Sequence, residues 1–183
     1  KLLVLDIDYT LFDHRSAAER PAELARPFLH EFLERAYCAY DLAIWSATSM
    51  RWVQLKLDEL GVSGSPRFKL MALFCAGAMI TIETQKYGVL DVKPLAVIWG
   101  LYPQYGAHNT IMLDDLSRNF LMNPQSGLRV RPCRHMTVPE ERDKDRELLR
   151  VGRYLSLLVG VGDMRTLNHK RWEAYVNKRW PRR

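Results

Sequence analysis

The chain has 183 residues, of which 48% are hydrophobic, 26% charged and 10% aromatic. That is enough apolar surface for one folded core and too much for wholesale disorder. The net charge of +6 lies in the tail: Met164 to Arg183 holds seven basic residues and one acidic one, while the rest carries 20 of each sign. A body that tracks nucleic acid is therefore excluded, and the tail is left to attract an acidic partner. The longest apolar run, Leu70 to Ile80, falls short of the ~18 residues of a membrane span. Asp6 and Asp8 interrupt the one early run that could act as a cleavable signal. Cys38, Cys75 and Cys133 form no close pair, which suits a reducing compartment. The chain reads as a soluble intracellular protein.

Leu2 to Ile7 is a short aliphatic run, as expected for a strand buried on both faces of a parallel sheet. Pro27 opens a helix with Phe28, Phe32, Leu33, Ala36 and Tyr37 on one face. Leu42 to Trp45 is a second buried strand ending at Ser46. Ser49 caps a helix carrying Val53, Leu57 and Leu60 before Gly61. Leu70 to Phe74 and Ala78 to Glu83 read as strands of a small β insertion spanning 61–92. Ile111 to Leu113 is a buried strand that runs into Asp114 and Asp115, and Leu128 to Arg131 an edge strand. A charged helix over Glu140 to Leu158 and a basic one over Asn168 to Trp180 make a C-terminal helical segment, 140–183. Trp45, Trp52 and Trp99 are expected in the core. The alternation of strand and helix predicts an α/β fold: a Rossmann-like parallel sheet flanked by helices, in one domain over 1–183.

Ligands of open α/β sheets bind beyond the carboxyl ends of the strands. Pooling the residues found there gives Asp6, Asp8, Thr10, Ser46, Asp114 and Asp115. Four carboxylates in one place repel one another unless a cation joins them. Magnesium fits oxygen ligands of this kind, and no His-rich or Cys-rich cluster is available for zinc. An aspartate so placed can attack a phosphoryl group and form an acyl-phosphate, and Asp6 is the candidate nucleophile. Asp8 is the candidate general acid and base. Thr10 and Ser46 are candidate donors to the phosphoryl oxygens, and Lys93, held out of a helix interior by Pro94, is the candidate fixed cation.

The run Asp6-Ile7-Asp8-Tyr9-Thr10 resembles the D-x-D-x-T motif of the haloacid dehalogenase superfamily, in particular its FCP/SCP branch of protein serine/threonine phosphatases. The likeness continues through Trp45-Ser46-Ala47-Thr48, Val92-Lys93-Pro94-Leu95 and Leu113-Asp114-Asp115. It is closer still to the ubiquitin-like-domain-containing CTD phosphatases, through Leu11-Phe12-Asp13-His14-Arg15, the run from Arg118 to Pro124, and Leu167-Asn168-His169-Lys170. The resemblance implies Asp6 as nucleophile and Asp8 as acid/base and backbone ligand of Mg2+. It implies Asp115 as a second side-chain ligand, with Asp114 behind it. It also implies a nuclear enzyme acting on phosphoserine or phosphothreonine of the proteasome regulatory particle or the RNA polymerase II tail. Members of that group begin with a ubiquitin-like domain, which this chain lacks, so it reads as an excised fragment.

Two other readings compete. One is a small-molecule phosphatase of the same superfamily, which the absence of a large cap disfavours. The other is a silent protein-binding module of the same fold, which the intact D-x-D-x-T run disfavours. Arg118, Arg129, Arg131 and Arg134 lie in a stretch without acids and form a candidate cradle for an acidic peptide.

Overall fold

A strand with no exposed residue needs cover on both faces, and β1 (Leu2–Leu5) is such a strand. The computed structural model describes residues 1–181. After β1 come α1 (Leu29–Tyr37), β2 (Asp41–Trp45), α2 (Met50–Glu59) and β3 (Leu70–Phe74). These are followed by β4 (Ile80–Thr84), β5 (Gly88–Val92), α3 (Ala96–Leu101), β6 (Thr110–Asp114) and β7 (Gly127–Arg129). The chain closes with α4 (Pro139–Lys144), α5 (Glu147–Leu158) and α6 (Trp172–Arg179). Five strands form one parallel sheet in the order β3, β2, β1, β6, β7. The α/β sheet flanked by helices is the architecture that the alternation predicts.

Successive side chains of β1 point to opposite faces, as the pleat dictates. Leu3 and Leu5 join a large core with Phe32 and Leu33 of α1, Val53 and Leu57 of α2, and Leu155 and Trp172 from the last helices. Leu2 and Val4 join a smaller core with Ile98 of α3, Trp45 and Phe120. Among the described residues no helix is long and apolar enough to cross a membrane.

Four expectations change. Leu70–Phe74 is not part of an insertion: it pairs in parallel with β2 as an edge of the main sheet, and the antiparallel hairpin β4–β5 stands alone. The long charged helix is two, α4 and α5. The break comes at Asp145, whose backbone is extended (φ −70°, ψ 114°) and whose carboxylate accepts the Glu147 N–H at 2.9 Å, as a cap does. The last helix starts at Trp172, after short 3-10 turns at Met164–Thr166 and His169–Arg171. Trp52 is 55% exposed on α2, whereas Trp45 is fully buried and Trp99 packs against the smaller core.

Candidate active site

Register brings the strand ends together. Leu5 of β1 lies beside Ile44 of β2 and Leu113 of β6, so the residues that follow share one edge. The Asp6 N–H extends the ladder to the Leu113 carbonyl at 3.0 Å. There the chain turns back sharply: the Ile7 carbonyl accepts the N–H groups of Thr10, Leu11 and Phe12. Tyr9 takes a left-handed backbone (φ 60°), a conformation that costs a non-glycine residue about 1–3 kcal/mol and persists only where its surroundings impose it. Its N–H donates to the Phe12 carbonyl, its own carbonyl accepts from Cys133, and the Arg134 guanidinium lies 5.2 Å from its ring.

The turn returns Thr10 to Asp6, and the Thr10 hydroxyl donates to Asp6 Oδ2 at 2.9 Å. Lys93, at the end of β5 and fully buried, donates to Asp6 Oδ1 at 2.6 Å and to Asp114 Oδ2 at 2.7 Å. Asp114 is further held by the Asn119 amide at 2.8 Å and the Leu116 N–H at 2.8 Å. Asp6, Asp114 and Asp115 each offer a carboxylate oxygen, all within 4.8 Å of one another. Burial, then the charge of Asp114, pushes Asp6 up to about 7 against the pull of Lys93 and Thr10. The same two causes raise Asp115 to about 6. Burial works to lower Lys93, but Asp6 and Asp114 outweigh it and raise it. Three buried carboxylates facing one ammonium are two positive charges short when ionised, and an all-oxygen set at this spacing fits a hard divalent cation.

Asp8 is placed differently. Its carboxylate leaves the trio and faces the Lys56 ammonium of α2 and His14 Nδ1, the latter at 3.3 Å. Ser46, at the end of β2, is fully buried, with its hydroxyl 2.9 Å from that of Thr48 and not bonded to the aspartates. Sequence reasoning passed over Lys56 and Asn119. Lys56 carried a signal, since it sits on the apolar stripe of α2 between Val53 and Leu57, where a solvated lysine does not belong.

Of the four rim arginines, Arg129 Nε donates to the Asp115 carbonyl at 3.2 Å and Arg131 pairs with Glu173 at 2.7 Å. Arg134 lies over Tyr9. Arg118, in the turn Ser117–Phe120, is exposed.

The family model described as NLI interacting factor-like phosphatase matches residues 1–165. The chain belongs to that family. Within it the chain is similar to ubiquitin-like domain-containing CTD phosphatase 1 of Xenopus tropicalis, 55% identical over 98% of this chain, and to the protein of that name from Homo sapiens, 54% identical over the same share. In both cases 56% of the relative is covered, so the chain spans about half the length of these curated relatives. Among solved structures it resembles Fcp1, an essential RNA polymerase II CTD phosphatase. The TM-score is 0.60 over 87% of this chain and 62% of that one, at 15% identity. A variant of fission yeast Fcp1 bound to beryllium fluoride matches with a TM-score of 0.59 over 97% and 65%, at 14% identity. Identities this low establish the shared fold alone, a parallel sheet flanked by helices.

Proposed function

We propose that this chain is the catalytic part of a phosphoprotein phosphatase that hydrolyses phosphoserine or phosphothreonine through a phosphoaspartyl intermediate on Asp6. The observation that carries this reading is the convergence of Asp6, Lys93, Asp114 and Asp115 within one buried cluster, with Thr10 on the free edge of Asp6.

Asp6 and Asp115, with the backbone carbonyl of Asp8, would hold Mg2+, and Asp114 would support them from behind. Bound there, the ion would supply positive charge to the phosphoryl oxygens and keep Asp6 ionised. Asp6 attacks phosphorus with one carboxylate oxygen while the bond to the serine or threonine oxygen breaks. Asp8, protonated, gives its proton to that leaving oxygen. In the second half Asp8 takes a proton from water, the water oxygen attacks phosphorus, and the acyl-phosphate bond breaks to release inorganic phosphate and regenerate Asp6. Lys93 and Thr10 fix the direction of the Asp6 carboxylate, and with Ser46 they face the charge that spreads over the equatorial oxygens. Lys56 requires one refinement: Asp8 meets an ammonium before any substrate arrives, so the leaving oxygen has to displace that contact before Asp8 can serve it as acid.

The names of the relatives support a CTD-type phosphoprotein as substrate. The motif likeness supports the proteasome regulatory particle as the alternative target and the nucleus as the place of action. The test is turnover of an aryl phosphate with and without Mg2+, repeated with Asp6→Asn and then with phosphopeptides. Magnesium-dependent turnover abolished by Asp6→Asn is expected, with inhibition by beryllium fluoride. No turnover by the native protein would support a silent binding module, and activity on sugar phosphates but not peptides a metabolic enzyme.

A further inference from the structure

A groove of about 670 Å³ opens beside the Asp115 loop, between the tip of the β4–β5 hairpin, the turn at Ser117–Phe120, β7 and the start of α6. We propose, on the phosphatase reading above, that this groove binds the polypeptide flanking the phosphorylated residue and selects a flank that sets an apolar side chain among carboxylates. Position gives the first reason. Arg129 lines the groove and donates to the Asp115 carbonyl, and Ser117 lies two residues beyond Asp115. A peptide with its phosphorylated side chain at Asp6 therefore leaves the site along this surface.

The floor gives the second reason. Phe120 and Trp172 are 6% and 4% exposed and lie at its base. The Trp172 indole N–H is spent on the Arg129 carbonyl at 3.0 Å, which leaves its ring to make apolar contacts. Gly127 keeps the Phe120 ring in place, because a Cβ there would meet that ring at 2.3 Å. Leu121, 36% exposed, and Tyr87, 41% exposed, stand on the walls.

Charge gives the third reason and commits the occupant. Two carboxylates line the groove, and both are engaged: Glu173 accepts from Arg131 at 2.7 Å and Arg150 at 2.8 Å, and Glu147 accepts the Arg131 N–H at 3.0 Å. Lys86, Arg129 and Lys170 line the same groove and pair with no carboxylate among the described residues. Lys86 rests 4.9 Å from the Tyr87 ring. Three unpaired cations around an apolar floor fit an acidic peptide segment. A nucleic-acid backbone would need a track of cations alone, and here Glu147 and Glu173 interrupt it.

The experiment uses phosphopeptides that share one phosphoserine and differ only in the flank: acidic and apolar, neutral glycine and serine, or basic, placed on either side. Each is compared with an aryl phosphate, which has no flank to reach the groove. The native protein is expected to favour the acidic and apolar flank over the neutral one by about fivefold to tenfold in kcat/KM on one side, with the preference shrinking as salt rises. Lys86→Ala combined with Lys170→Ala should remove most of that preference, leaving the part that Arg129 and the apolar floor supply, while aryl phosphate turnover stays unchanged.

Equal kcat/KM for all flanks, with aryl phosphate turned over normally, overturns the groove assignment and leaves the phosphatase reading intact. A preference undiminished by the double substitution overturns it as well. So does an oligonucleotide of equal charge that competes better than the acidic peptide. Loss of aryl phosphate turnover in the native protein would instead be the failure of the phosphatase reading.

Discussion

At the carboxyl edge of the sheet, fully buried Lys93 is shared between Asp6 and Asp114. Under the C-terminal segment, the Tyr154 hydroxyl and His169 Nδ1 lie 2.7 Å apart, and His169 Nε2 lies 3.0 Å from the Met164 carbonyl. Both networks are buried. The first is made of ions, each of which costs several kcal/mol to remove from water. In the second, burial lowers the His169 pKa and keeps the ring neutral, so the tail docks with its polar groups satisfied and little charge buried. The difference teaches where this fold tolerates buried charge without full compensation: at the strand ends, where chemistry can use it. The tail, although the most basic part of the sequence, buries only neutral contacts, with Trp172 and Val176 in the core, and its ion pairs, from Glu173 to Arg131 and Arg150, stay at the half-exposed rim.

That contrast breaks most visibly at Lys93. Lys93→Met leaves two buried carboxylates without their shared cation, and we expect a loss of about 3–5 kcal/mol in urea unfolding together with a fall of about 10³-fold in aryl phosphate turnover. A variant as stable as the native protein would show that the cluster carries no uncompensated charge.

Asp8 sits between the two regimes, ion-paired yet 19% exposed. Asp8→Asn leaves the buried Lys56 ammonium facing a neutral amide, so it should cost about 1–3 kcal/mol of stability, less than Lys93→Met, and lower phosphopeptide turnover about 10²-fold. Aryl phosphate, whose leaving group needs a proton less, should suffer less, and equal losses on the two substrates would remove Asp8 from the role of acid.

The smallest effect belongs to the neutral network. His169 has a folded-state pKa below its ordinary value of 6.5, so the unfolded chain binds its proton first as pH falls. Its contribution to stability is full above about pH 6.5 and shrinks below that toward the lowered folded value, by at most about 1.4 kcal/mol per pH unit. Urea midpoints at pH 7.5 and 5.5 should differ more in the native protein than in His169→Gln. The same difference in both would assign the slope to other groups.

The parallel sheet and the aspartates at its edge were legible because β1, β2 and β6 are aliphatic runs that stop abruptly at polar residues, and in a parallel sheet those stops fall on one edge. What was hidden depended on long-range partners. β3 looks like a stray strand until it pairs with β2. The break between α4 and α5 has no proline or glycine to announce it, and it exists because Asp145 turns to meet Arg26 at 3.0 Å. α3 is built from Ala96, Val97, Ile98 and Trp99, a composition that favours a strand, and packing against the smaller core overrides that preference. Lys56 finds Asp8 across 48 positions of sequence, a distance no local pattern spans.

Arg26 is 2% exposed. Its guanidinium holds the Thr10 carbonyl at 3.0 Å with one nitrogen and Asp145 with others. The bend that returns Thr10 to the Asp6 carboxylate is thus tethered, through a single side chain, to the joint between α4 and α5. Severing the polypeptide ahead of α4 would do more than shorten it: the tether would lose its far anchor, and the loop it steadies would lose its aim. The C-terminal helices are in this sense a brace for the Asp6 carboxylate, built from the part of the chain most distant from it in sequence.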